Sequence, residues 1–332
     1  MEDLYLGIDL GGTEIKSVVL GGGHRVVWTR QIETRATEGR DAVLERIVDL
    51  AAAASRGLQN TRLGGIGVAV PGVLDMESGR LELMTNLTPE WNGFLARDAL
   101  EARSELPVSL INDVRAATLA ELTLGAGQGY TDFICIAIGT GIGGGIVLDG
   151  KLYLGSRGAA GEIGHGTVVV DGPLCNCGNR GCMEAVASAT AIARDGQAAI
   201  AAGDTELAAM VGTSTPTAQE LAEAALQGSA TAQRIYAHAG QMIGLALGSL
   251  ICALNPQAGV IGGGVAKAGD LLLAPVREEI ARRTVVFSPE RGAVEVLQSP
   301  LGGQAGAIGA AVWAMQARQA DAQENRSRVD VR

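Results

Sequence analysis

The sequence predicts an α/β protein built as two lobes on one plan, and three observations carry that expectation. Strand-like apolar runs alternate with helical patterns along the chain. Several of those runs close in glycine-rich turns. The stretch "IDLGGTEIKSVVLGG" from Ile8 is echoed by "IAIGTGIGGGIVLDG" from Ile136, each reading as strand, glycine-threonine turn and strand. With 332 residues the chain also exceeds what one hydrophobic core usually serves.

Taken in order, strands are expected over residues 4–10, 15–20, 64–70, 107–111, 132–138, 144–149 and 257–262. Helices are expected over 41–55, 94–104, 114–123, 186–202, 217–226, 229–254 and 303–318, on the spacing of their alanine and leucine faces. The corresponding domains are a small lobe over 1–113, completed by the helix at about 303–318, and a large lobe over 114–302. The segment 319–332, "QADAQENRSRVDVR", is polar without apolar periodicity and is expected to fray as a tail.

Hydrophobic residues make up 47% of the chain and charged residues 19%, ample material for buried cores. A formal net charge of -10 repels phosphate backbones, which argues against nucleic acid as the main partner. The opening "MEDLYLGIDL" has no basic, signal-like stretch, and glycine or charge breaks the longest apolar runs well short of a bilayer-spanning length. A soluble, cytoplasmic protein with no membrane association is therefore expected. Cys135 and Cys252 stand alone in apolar segments while three other cysteines cluster, so no disulfide framework is expected from the odd total of five.

Three turns are suited to phosphate: Gly11, Gly12 and Thr13 in the first hairpin, Thr140 and Gly141 in its echo, and Gly263 and Gly264 in "VIGGGVA". Without Cβ atoms, backbone N–H groups converge on an anion, and a threonine hydroxyl adds a donor. Asp9, just before the first turn, can hold Mg²⁺ through its waters. Any one such turn alone reads more simply as a hairpin satisfying positive φ, but three together favour nucleotide binding.

The span from Gly161 to Glu184, "GEIGHGTVVVDGPLCNCGNRGCME", gathers His165, Cys175, Cys177 and Cys182. One imidazole and three thiolates suit tetrahedral Zn²⁺, and four protein ligands leave no position for a catalytic water, so such a site is structural. The alternative is a reduced cysteine cluster with a histidine nearby. With one His165 nitrogen on the metal, the other becomes a fixed donor, and Glu162 and Glu184 are held beside it. Otherwise Glu162 is a solvated loop charge and Glu184 a favourable first-turn acid. In "LPVSLINDVRAATLAEL" the strand ends at Asn112 and Asp113 facing a helix start, where open α/β sheets place ligand groups. Asp113 is there either a functional carboxylate or a helix N-cap.

The combination of "GIDLGGT", "GVAVPGVLD", "IAIGTGIGGGIV", "GAAGEIGHG", "CNCGNRGCME" and "LNPQAGVIGGG" resembles the ROK family of sugar kinases and regulators, from Leu4 to Trp313. That resemblance implies the actin-like ATPase (ribonuclease H-like) fold, two α/β lobes with the active site in the cleft between them. It implies ATP, Mg²⁺ and a structural Zn²⁺ on His165, Cys175, Cys177 and Cys182. It makes Asp113 the base that accepts the proton of a sugar's primary hydroxyl. Asn112, Asn86, Gly72, Glu162, His165 and Glu184 then line the sugar. Two positions depart from the family pattern: Glu14 stands where lysine is frequent, with Lys16 on the same strand face, and Arg115 stands where a second asparagine is frequent.

The reading that follows is an ATP-dependent kinase acting on the 6-hydroxyl of a hexose, most simply glucose, as a homodimer or homotetramer. N-acetylmannosamine, N-acetylglucosamine, mannose and fructose are the alternative sugars. A sugar-responsive transcription repressor is the weaker reading from another class, because the first phosphate-loop strand begins at Leu4 and leaves no room for a DNA-reading domain. The presence of Asp113 speaks against a binding protein that has lost catalysis.

Overall fold

The computed structural model describes residues 3–59, 61–84, 87–286 and 293–329. The chain folds as two compact units: Met1–Gln128, Leu154–Ala160 and Gly303–Arg332 form the first, and Gly129–Tyr153 and Gly161–Gly302 the second.

In the first unit, β1 (Leu4–Leu10), β2 (Glu14–Gly21), β3 (Arg25–Glu33) and β4 (Leu63–Val70) precede a small sheet of β5 (Val73–Asp75), β6 (Arg80–Leu83) and β7 (Phe94–Leu95), and β8 (Val108–Asn112) follows. Among the described residues the main sheet has the order β3-β2-β1-β4-β8. β2 pairs antiparallel with both β1 and β3, whereas β1, β4 and β8 are parallel. The helices of this unit are α1 (Arg40–Gly57), α2 (Ala96–Ser104) and α3 (Asp113–Leu124). The face of α1 formed by Val43, Leu44, Ile47, Leu50 and Ala54 is buried with Leu6, Ile8 and Val68 of the sheet. Each such fully buried leucine or isoleucine contributes on the order of 1.5–3 kcal/mol.

The second unit repeats the plan. β9 (Phe133–Ile138), β10 (Ile142–Leu148) and β11 (Lys151–Leu152) form the antiparallel side of its sheet. After α4 (Met183–Ala187), α5 (Ala189–Ala201), α6 (Thr205–Val211), α7 (Ala218–Leu226) and α8 (Ala230–Leu254) comes β12 (Ala258–Gly262), then α9 (Asp270–Arg283) and β13 (Glu295–Gln298). The sheet order β11-β10-β9-β12-β13, with β9, β12 and β13 parallel, matches the first sheet strand for strand. The sequence echo is thus a structural duplication. Among the described residues α8 alone is long and apolar enough to cross a membrane, contrary to the expectation that every apolar run falls short. It is nonetheless a core helix, burying Tyr236, Ile243, Leu247 and Ile251 in this unit.

The last helix, α10 (Ala305–Val329), belongs to the first unit. It lies so close to the sheet that a Cβ on Gly67 would fall 1.8 Å from the carbonyl oxygen of Ala310. Only glycine permits that approach. Two boundaries differ from expectation. α3 belongs to the first unit rather than opening the second, because its buried residues Ala116, Leu119 and Ala120 pack in that unit, with Gly309 of α10 directly against Ala116. The segment 319–329 continues α10 instead of fraying, since its alanines, glutamines and arginines are good helix formers extending an anchored helix.

Candidate active site and metal centre

In the first unit the parallel strands bring the expected residues to one edge. Asp9 pairs with Ala69 in register, and Val70 pairs with Asn112, so the carboxyl ends of β1, β4 and β8 lie side by side. Open α/β sheets present ligand groups there. Gly11 and Gly12 turn between β1 and β2, fastened from outside: the Thr34 hydroxyl donates to the Gly11 carbonyl at 2.6 Å, and the Thr34 N–H to the Thr13 carbonyl at 2.8 Å. Thr13 itself is exposed.

Asp9 is half-buried, and its carboxylate packs against the first turn of α10, where a Cβ on Gly306 would stand 2.7 Å from its Cγ. Burial raises the Asp9 pKa above the ordinary carboxylate value, partly offset by Lys16, its antiparallel register partner. Lys16 therefore supplies positive charge to this edge, while Glu14 is exposed and its carbonyl accepts the Gly11 N–H at 3.0 Å.

At the end of β8, Asn112 is the N-cap of α3. Its Oδ1 accepts the N–H groups of Val114 and Arg115 at 3.1 and 3.2 Å, and its Nδ2 donates to the Gly72 carbonyl at 3.1 Å. The capping role open to Asp113 in the sequence thus falls to Asn112. Asp113 is half-buried at the first helical position, its Oδ1 accepting the Val114 N–H at 2.8 Å. Asn112 keeps one amide N–H for a ligand. Gly72 has φ +86°, and a side chain there would strike the Leu83 carbonyl. Arg115 is buried, and its Nε donates to the Ala160 carbonyl at 2.9 Å. It therefore fixes the segment 154–160 within this unit. Asn86 lies outside the described residues.

In the second unit the two remaining glycine turns also share an edge. Ala137 pairs with Gly262, so the turn at Thr140 and Gly141 after β9 adjoins the turn at Gly263 and Gly264 after β12. Gly263, at φ +86°, leaves room for the Ile138 carbonyl, which a Cβ would approach to 2.3 Å. Ala137 occupies the place that Asp9 holds in the other hairpin, so only the first turn of the pair carries an acid.

His165, Cys175, Cys177 and Cys182 are brought together, their ligand atoms all within 4.8 Å of one another. Cys175 Sγ lies 3.7 Å from His165 Nδ1, and Cys177 Sγ 3.7 Å from Cys182 Sγ. Zn–S bonds of about 2.3 Å make the edge of a regular tetrahedron about 3.8 Å, so these separations fit a tetrahedral zinc. The sulfurs are not joined in disulfides. Burial pushes the Cys175 thiol up to about 12 and also raises Cys182, whereas the backbone N–H of Asn179 lowers exposed Cys177. A metal cation would offset the cost of three neighbouring thiolates.

With Nδ1 turned to the cluster, the Nε2 of His165 points elsewhere. The 3-10 turn Ile163–His165 follows exposed Glu162, whose carbonyl accepts the His165 N–H at 3.1 Å. Glu184 sits in the first turn of α4, which Cys182 precedes as N-cap residue. Its Oε2 accepts the Ile142 N–H at 2.9 Å, and its Oε1 lies 3.6 Å from Cys175 Sγ. Sequence reasoning missed the supports of these turns: Thr34 on the first, Gly306 under Asp9, and Thr190, whose hydroxyl donates to the Thr140 carbonyl at 2.8 Å. The glycine at the head of the last predicted helix was the one available signal.

Two α/β units with matching mixed sheets have the actin-like ATPase fold. The chain belongs to the ROK family, whose family model matches residues 5–317. It is 37% identical over 310 residues to a glucokinase of Halalkalibacterium halodurans, covering 92% of this chain and 93% of that one. The structure superposes with a TM-score of 0.81 on a ROK family glucokinase from Streptomyces griseus solved with glucose and AMPPNP, at 34% identity and with 94% and 99% of the chains covered. A putative xylose repressor of Caldicellulosiruptor is 30% identical, over 88% of this chain and 74% of that protein.

Proposed function

We propose that this protein is an ATP-dependent hexose kinase that transfers the γ-phosphoryl group of ATP to the 6-hydroxyl of glucose. The single observation that carries the reading is the group at the head of α3. Asn112 supplies the helix cap, and Asp113 is set at the carboxyl edge of three parallel strands. Similarity to glucokinases over nearly the whole chain supports the choice of reaction.

In this reading Asp113 accepts the proton of the 6-hydroxyl as that oxygen attacks the γ-phosphorus, and the bond to the β-phosphate oxygen breaks to release ADP. Glu162, Glu184, the Nε2 of His165, the free amide N–H of Asn112, Asn86 and the backbone at Gly72 hold the other sugar hydroxyls. The turns at Gly11–Thr13 and Thr140–Gly141 hold the phosphates, and Gly263 and Gly264 lie by the adenosine. Mg²⁺ bound with ATP neutralises phosphate charge; Asp9 is the residue that would hold it, a single carboxylate acting through water as that ion prefers.

His165, Cys175, Cys177 and Cys182 would hold a structural zinc that rigidifies the loop carrying Glu162 and Glu184. We place the enzyme in the cytoplasm, where ATP is available, as a homodimer or homotetramer. The half-buried Met242, Ala246 and Leu250 of α8 offer apolar surface for such an assembly.

A coupled ADP-release assay with glucose, mannose, fructose, N-acetylglucosamine and N-acetylmannosamine tests the proposal. Glucose should give the highest kcat/KM. No ADP release with any of these sugars contradicts the kinase reading, and a higher kcat/KM for another sugar reassigns the substrate.

A further inference from the structure

Among the described residues, three of the hydrogen bonds that hold the Thr140 turn come from the segment that follows the cysteine cluster. The Glu184 carboxylate accepts the Ile142 N–H at 2.9 Å, and its Oε2 would be 2.3 Å from a Cβ on Gly141. The Ala189 N–H donates to the Gly139 carbonyl at 2.9 Å, and the Thr190 hydroxyl donates to the Thr140 carbonyl at 2.8 Å. Within the turn, the Gly139 N–H donates to the Gly141 carbonyl at 2.9 Å. The segment is itself fixed to the cluster. Cys182 is the N-cap residue of α4, the Met183 N–H donates to the Gly166 carbonyl at 2.9 Å, and Glu184 Oε1 lies 3.6 Å from Cys175 Sγ. Gly164, one residue before His165, packs against the Ile142 carbonyl, where a Cβ would stand 1.9 Å away. Ile142 is thus gripped on its N–H by Glu184, two residues after Cys182, and on its carbonyl by Gly164 of the histidine loop.

From this we infer that Glu184 is a positioning residue for the Thr140–Gly141 turn, and that occupancy of the His165–Cys175–Cys177–Cys182 centre governs how well that turn binds the nucleotide. The inference rests on the kinase reading for the turn's ligand. A carboxylate offers about four acceptor directions. Those used on Ile142 and Cys175 leave capacity for a sugar hydroxyl, so the two roles of Glu184 coexist. Metal loss loosens the loop on one side and the start of α4 on the other. The Ile142 N–H then loses its fixed acceptor, and the donors of the turn no longer converge. A positioned group displaced by as little as about 1 Å loses roughly 10²-fold in effect.

The test is residue-resolved hydrogen exchange on the full-length protein, read at the Ile142 amide, with the Val260 amide in the central strand β12 as the fold control. Glu184→Ala should speed exchange at Ile142 by roughly tenfold or more and leave Val260 unchanged. Glu184→Gln, whose amide oxygen still accepts, should keep the wild-type rate. Stripping the metal from wild-type protein with a chelator should speed Ile142 as Glu184→Ala does and raise the dissociation constant for AMPPNP by roughly tenfold, with restoration on adding Zn²⁺. Unchanged Ile142 exchange in both Glu184→Ala and the stripped protein overturns the inference. Faster exchange at Val260 as well shows general unfolding and also overturns it. If Ile142 responds as expected but no hexose is phosphorylated, the coupling stands and the kinase reading fails.

Discussion

The Asp9 carboxylate occupies the space into which a side chain at Gly306 would project: a Cβ there would lie 2.7 Å from its Cγ and 2.8 Å from Oδ2. Gly306 is the second residue of α10, where alanine is the better helix former by up to about 1 kcal/mol. Gly306→Ala should therefore leave thermal stability equal or higher while pushing Asp9 aside. The expected outcome is a rise of roughly 10- to 100-fold in the KM for MgATP, with glucose KM little changed. Steady-state kinetics beside a melting curve would check it; a lower Tm with unchanged kinetics would reverse the assignment.

The raised pKa of Asp9 has a stability consequence of definite sign. Burial disfavours its ionised form in the folded protein, with Lys16 opposing that effect. Its stabilising contribution is complete below the unfolded carboxylate pKa and is lost as pH rises through the higher folded value. The Tm difference of Asp9→Asn over wild type should therefore grow between pH 4 and pH 7 in the absence of nucleotide. A difference that shrinks over that range would contradict the sign.

For the metal centre, the purified protein should hold about one zinc per chain. Cys177→Ser should reduce that content to a small fraction and lower activity, since structural zinc contributes on the order of 10 kcal/mol even in small peptides. Metal analysis showing active protein without zinc would exclude the structural role.

Asn112→Ala removes an acceptor shared by two backbone N–H groups and the donor to Gly72. Stability should fall by about 0.5–2 kcal/mol, the usual cost of a lost N-cap. Denaturant unfolding measures this directly. No loss would mean that Asp113 can take over the cap.

Much of this was legible in the sequence because it rests on local chemistry. Apolar runs closing in glycine turns marked β1, β4, β9 and β12, and the two hairpins announced two equivalent sheets. The cysteine spacing foretold a cluster that the chain does assemble. What escaped depends on tertiary context. β3 is an edge strand with an exposed, charged sequence, so no apolar alternation identifies it. α9 contains Pro275, an internal breaker signal. The placement of α3 in the first unit follows from its packing on α10, a contact between segments far apart in sequence. The division of labour between Asn112 and Asp113 is likewise invisible in "IND", because either residue type caps a helix.

Asp113→Asn tests the central claim most directly, since it preserves size and hydrogen-bonding reach but removes the capacity to take a proton. Asn112 already caps α3, so the folded state should be unaffected. The decisive measurement is kcat for glucose phosphorylation together with glucose affinity by calorimetry. A general base contributes roughly 10²- to 10⁴-fold, so kcat should fall by at least about a hundredfold with glucose affinity largely kept. A variant retaining more than about a tenth of wild-type kcat would show that Asp113 is not the base.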